Sequence, residues 1–187
     1  MRSLIGVAVV LLMVACGSSG SNANASHRSS PTPSHAGLIT SAIDACKLVS
    51  ATDASSATGV TMQAFGQTGG APVCIYAGQK ADGTSVSVFV YAQTYSDTKT
   101  ADAVSPDQVA AAFKGQFGVS DAKSVSGIGD KAFEYTATAT SGAANSSGVV
   151  IFVFKANVVL LVAVTPTTDQ SKAEGLARVA VGNLPKS

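Results

Sequence analysis

From Ser85 to Ala92 the chain reads SVSVFVYA, with Val86, Val88 and Val90 falling on one side and Ser87, Phe89 and Tyr91 on the other. A period of two is that of a β-strand. Asp82-Gly83 just before it signals a tight turn, so Val73–Ala92 reads as a hairpin. Val149–Phe154 and Val158–Val164 are apolar throughout, and Lys155-Ala156-Asn157 breaks the run as a turn would. Each piece is too short to span a bilayer, which takes about 20 residues, so the pair reads as a buried β-hairpin. Val60–Phe65 and Lys131–Ala139 complete six predicted strands.

Helix signals separate them. Ser50-Ala-Thr-Asp53 is a capping sequence, and Gly59 is a natural stop. Ser105-Pro106-Asp107-Gln108 opens a second helix, with Val109, Ala112, Phe113 and Phe117 as its apolar stripe and Gly118 at its end. Thr168 is the predicted cap of a last helix from Asp169 to about Val181, with Leu176, Val179 and Ala180 facing inward. The order α-β-β-β-α-β-β-β-α predicts an α+β fold over residues 38–187. Its short connections predict an antiparallel sheet of about six strands, with helices covering one face.

The N-terminus follows a different pattern. Arg2 precedes an uninterrupted apolar or small-residue run, Leu4–Ala15, which ends in Met13-Val14-Ala15-Cys16 and switches to Gly17-Ser18-Ser19-Gly20. The run is too short for a spanning helix and suits a signal h-region. The segment resembles a bacterial lipoprotein signal with its lipobox, in which Val14, Ala15 and Cys16 match and Met13 stands where Leu is usual. The resemblance implies a signal peptide over residues 1–15, cleavage between Ala15 and Cys16, and lipidation of Cys16. Two or more acyl chains make such attachment stable, at about 0.8 kcal/mol per buried methylene. Residues 16–37 then form the lipidated cysteine and a Ser/Gly/Asn/Pro tether that lacks the apolar content to fold.

With Cys16 consumed by lipid, Cys46 and Cys74 remain. Outside the cytosol, two thiols in one small domain are usually bridged. A redox or metal dithiol is the rival, but there is no Cys-x-x-Cys and no histidine in residues 38–187. The layout Asp44-x-Cys46-x-Leu48-Val49-Ser50, Gly59, Cys74-x-Tyr76, then Gly127-Ile-Gly129-Asp130-x-Ala132-Phe133, resembles small actinobacterial cell-envelope lipoproteins. That resemblance implies location and fold, and no catalytic residues.

Composition narrows the chemistry. Twelve Lys+Arg against eleven Asp+Glu give a net charge of +1, and this near neutrality, together with the lack of any block of like charge, rules out an electrostatic nucleic-acid binder or a polybasic membrane adhesin. Histidine-dependent nucleophilic catalysis is excluded from the domain, because His27 and His35 both fall in the tether. Paired-carboxylate hydrolysis would draw on Asp130, Glu134 and Glu174 with some other Asp, whose spacing reads as turn and surface positions. Gly127-x-Gly129-x-x-Ala132 fits the loose dinucleotide fingerprint but opens a strand rather than a helix, so the glycines read as turn residues. No zinc or EF-hand spacing is present, and neither metal nor cofactor is expected.

These readings predict a membrane-anchored, extracytoplasmic lipoprotein with a non-enzymatic binding or accessory role in the cell envelope. Its expected partners are the membrane, through the anchor, and an envelope protein or apolar ligand. A lipid carrier and a Ser/Lys hydrolase are the alternatives. A groove between sheet and helices, lined by Phe89, Tyr91, Phe113 and Phe117, is the candidate ligand site; packing of the same four residues in the core is the simpler account.

Overall fold

The computed structural model describes residues 37–65, 70–113, 117–139 and 147–186, without the side chains of 109, 110, 112, 113, 117 and 139. Residues 1–36, which include Ala15, Cys16, His27 and His35 and all but the last residue of the segments expected to be signal and tether, lie outside the described residues.

Local sequence sets the first elements. Asp44 caps α1 (Ala45–Leu48) by accepting from the Cys46 amide. Ser50 and Asp53 form a reciprocal capping box on α2 (Ala51–Thr58), and Gly59 ends it in the left-handed conformation at φ 72°. Of the predicted strand Val60–Phe65 only β1 (Gln63–Ala64) pairs, alongside β2 (Val73–Gln79). β2 and β3 (Ser85–Thr94) form the expected hairpin, in register from Val73 opposite Tyr91 to Gln79 opposite Ser85.

Two short helices follow, α3 (Thr98–Asp102) capped by Asp97 and α4 (Pro106–Phe113). Helix α4 stops earlier than its apolar stripe suggests. Phe117 is not its last inward residue but the first of β4 (Phe117–Val119), followed by β5 (Lys123–Val125). Both pair with successive parts of β6 (Lys131–Ala139), which raises the strand count from six to eight. β7 (Ser147–Lys155) and β8 (Val158–Thr165) form the central apolar hairpin. Its turn is Ala156-Asn157, with Ala156 at φ 51°. The last helix, α5 (Gln170–Gly182), is capped by Asp169 rather than Thr168.

The sheet is wholly antiparallel in the order β1-β2-β3-β8-β7-β6-β4, with β5 beside β4 on the far side of β6. The fold is α+β. Both faces of the sheet are apolar, and they differ in kind. One face sets Val86, Val88 and Val90 of β3 beside Leu160 and Val162 of β8, under Leu48 of α1, Ala54 of α2 and Leu176 of α5. The other carries the aromatics Phe133, Tyr135, Phe152 and Phe154 with Val159 and Leu161, and meets Ala101 of α3. The expected one-sided helix layer is therefore corrected, because the continuous apolar runs of β7 and β8 leave two faces to cover rather than one.

Cys46 and Cys74 form a disulfide that ties α1 to β2. Beside it the buried Tyr76 hydroxyl donates to the carbonyls of Val49 and Cys46, satisfying acceptors at the end of α1. Asn157 does the same at the opposite end of the sheet. Its side chain accepts from the Ile39 amide and donates to the carbonyls of Ile39 and Tyr95, at 2.8, 2.9 and 2.7 Å.

Candidate functional site

The glycine-rich segment before β6 is structural. Gly127 and Gly129 adopt φ of 75° and 63°, which lets the chain turn sharply and drive Ile128 into the core. Asp130 then receives the Ala156 amide at 2.8 Å and the Lys155 ammonium at 2.7 Å, which lower its pKa in that order. The segment locks onto the β7–β8 turn and runs straight into a strand, so it cannot serve as a phosphate loop at a helix start.

Phe89 and Tyr91 lie where the alternation of β3 puts them, half-buried on the aromatic face. The side chains of Phe113 and Phe117 fall outside the described residues, so the expected groove is represented by its strand half. Tyr135, at 4% exposure, stands in the same face, and its hydroxyl has no hydrogen-bond partner. Burial, with Asp107 nearby, pushes its pKa up to about 12.

The polar chemistry concentrates on the opposite face. Glu134, read from the sequence as a surface position, is 4% exposed. It lies two residues from the buried Ala132 and in phase with it, beneath the side of the sheet that α5 covers. It faces a cleft of about 370 Å³, whose walls include Lys123, Ser126, Gln170 and Glu174. Two of the three acidic residues considered for paired-carboxylate chemistry thus meet in one cleft, while Asp130 is committed to the turn.

Comparison with known proteins identifies no relative from which a role could be transferred. No family model, curated protein or solved structure matches the chain. The site is therefore read from its own geometry.

Glu174 is paired with Arg178, one turn on, at 2.8 Å. Glu134 has no such partner among the described ion pairs. Lys123 is its cross-strand neighbour but remains beyond ion-pair distance. Burial raises the Glu134 pKa, Glu174 raises it further, and Lys123 opposes them. Among the described residues no group of three or more His, Cys, Asp or Glu side chains is arranged to hold a metal ion.

A stability prediction follows from the direction of that shift. Because folding raises the Glu134 pKa, the folded chain takes up the proton more readily than the unfolded chain. The resulting stabilisation is complete below the ordinary glutamate value of about 4.3 and is lost as pH rises through the folded value. Glu134→Gln, which resembles the protonated form, is expected to raise the Tm at pH 7 by about 2–4 °C and to leave it unchanged near pH 4. Thermal melting at the two pH values checks this.

Proposed function

We propose that the protein is an extracytoplasmic lipoprotein, held at the cell envelope through lipid on Cys16, whose folded domain binds a partner or ligand without catalysing a reaction. The observation that carries this reading is the Cys46–Cys74 disulfide. Bridges of this kind form and persist in oxidising compartments, and this one accounts for two of the three cysteines. The third stands at the end of the apolar N-terminal run, where the lipobox resemblance assigns the acyl chains. No helix among the described residues is long and apolar enough to cross a membrane.

The binding role draws on the absence of histidine from residues 38–187 and on the Glu134 cleft, whose chemistry suits holding a ligand. Attachment is tested by Cys16→Ser. The wild-type chain is expected in the membrane fraction with a mass increase matching diacylglycerol, and the variant in the soluble fraction without it. A variant that stays membrane-bound through salt and carbonate washing would overturn the anchor.

A further inference from the structure

Burial of a polar side chain is tolerated when its hydrogen-bonding groups are satisfied, and burial of an ionisable one when it is also paired. Three polar or charged residues among those described are buried: Thr58, Glu134 and Asn157. The Thr58 hydroxyl donates to the Ala54 carbonyl at 2.8 Å, closing on its own helix. Asn157 makes its three bonds to Ile39 and Tyr95. Glu134 has no hydrogen-bond or ion-pair partner among the described residues, and unlike the sealed Tyr135 hydroxyl its carboxylate keeps contact with solvent through the cleft that it borders.

The surroundings define what would satisfy it. Glu174 adds a second carboxylate from α5, already sharing its charge with Arg178. Lys123 supplies the facing positive charge from β5, but it is exposed and forms no ion pair with either acid. Ser126 and Gln170 bring side-chain oxygens that can accept from N–H donors, and the half-buried Val125 offers an apolar surface. An anion would meet two carboxyl groups. A calcium ion prefers six to eight oxygen ligands, more than two carboxyls and a few neutral groups supply beside a lysine. A cleft of about 370 Å³ is also far larger than a bare ion needs and falls in the range of small-molecule sites.

We propose that the cleft between β5 and α5 binds an organic cation, an alkylammonium or alkylguanidinium group, held by Glu134 with help from Glu174 and Gln170. The cation supplies the charge-assisted partner that Glu134 lacks, and its stem lies along Val125. Because binding needs the ionised carboxylate, it displaces the proton that burial favours there, so affinity falls as pH drops. Lys123 on β5 and Glu174 with Arg178 on α5 are the charged groups that face this one. The inference rests on the binding role proposed above, whose ligand it names, and is independent of the anchor.

The test uses the full chain in detergent, labelled for amide NMR and titrated with n-butylamine, with N-acetyl-lysine methylamide, with neutral 1-butanol and with calcium chloride. Saturable shifts confined to residues 123–126, 134 and 170–174 are expected with both cations. Tighter binding of the lysine derivative would assign the site to a protein side chain, and tighter binding of butylamine to a free amine. Glu134→Gln is expected to weaken either cation about tenfold or more while the variant stays folded, and Glu174→Gln to weaken it less. Equal response to butanol, saturation by calcium at lower concentration, or unchanged affinity in Glu134→Gln would each overturn the proposal, as would no response to either cation. None of these outcomes bears on membrane attachment, which the Cys16→Ser fractionation decides separately.

Discussion

Replacing Cys46 and Cys74 together by Ala is expected to lower the unfolding free energy by about 3–4 kcal/mol. The bridge joins residues 28 apart in sequence, and opening it returns the entropy of that loop to the unfolded chain. The loss falls on a short helix, whose Ala45 and Leu48 are packed in the core. Helix α1 has only four residues and is held by its cap, by the Ala45 amide on Ala71, by Tyr76 and by Asn183, which donates to the Leu48 carbonyl. Cys74 is fully buried, so the substitution also removes packed sulfur from the helix-covered core. Marginal stability makes such a change conspicuous, because a domain of this size has roughly 5–15 kcal/mol in hand. Urea unfolding should show a midpoint well below wild type, and reduction of the wild-type chain should reproduce it. Coincident midpoints for oxidised and reduced protein would show that the bridge contributes nothing.

Gly129→Ala should destabilise the protein by about 2–5 kcal/mol, whereas Gly127→Ala should lose only about 1–2 kcal/mol. Both glycines occupy the left-handed region, so either substitution meets the same backbone penalty. Their surroundings differ. A Cβ at Gly129 would stand 2.5 Å from Val153 Cγ1 and 2.6 Å from the Phe154 carbonyl oxygen, while nothing lies within 4 Å of one at Gly127. The carbonyl cannot step aside freely, since it accepts the Asp130 amide at 2.8 Å and belongs to the central strand β7. Relief must come from moving the segment away from the sheet, which weakens the Asp130 clasp on Lys155 and Ala156 and withdraws Ile128 from the core. Chemical denaturation of the two variants side by side separates the shared backbone effect from the clash at Gly129.

The candidate site was only partly legible. Glu134 and Glu174 stand out among few acidic residues, but forty positions separate them, and a lone glutamate in an alternating strand ordinarily faces water. A usable signal was present: Glu134 is in phase with Ala132, and therefore shares its face of β6. Whether that face is wet depends on α5, which comes later in the chain and lies across it. The aromatic face was seen in Phe89 and Tyr91 but not in its full extent, because Phe133, Tyr135, Phe152 and Phe154 join them only through the strand order.

Local chemistry by itself determined the capping box on α2 and its Gly59 stop, the β2–β3 and β7–β8 hairpins, and the α+β class. Each depends on residues within a few positions of one another, where propensity, turn geometry and side-chain period act directly. Pairing of the two domain cysteines was also readable, since only two candidates remained. The tertiary structure decided what local preference leaves open. The stripe Val109–Phe117 is helical in pattern, yet the open edge of β6 draws Phe117–Val119 and Lys123–Val125 into the ladder. Likewise the apolar runs of β7 and β8 announce burial without saying on how many sides, and the helices settle on both faces because each presents surface to be removed from water. Strand order, helix side and the burial of Glu134 all arise from partners far apart in the chain, so the full set of contacts determines them.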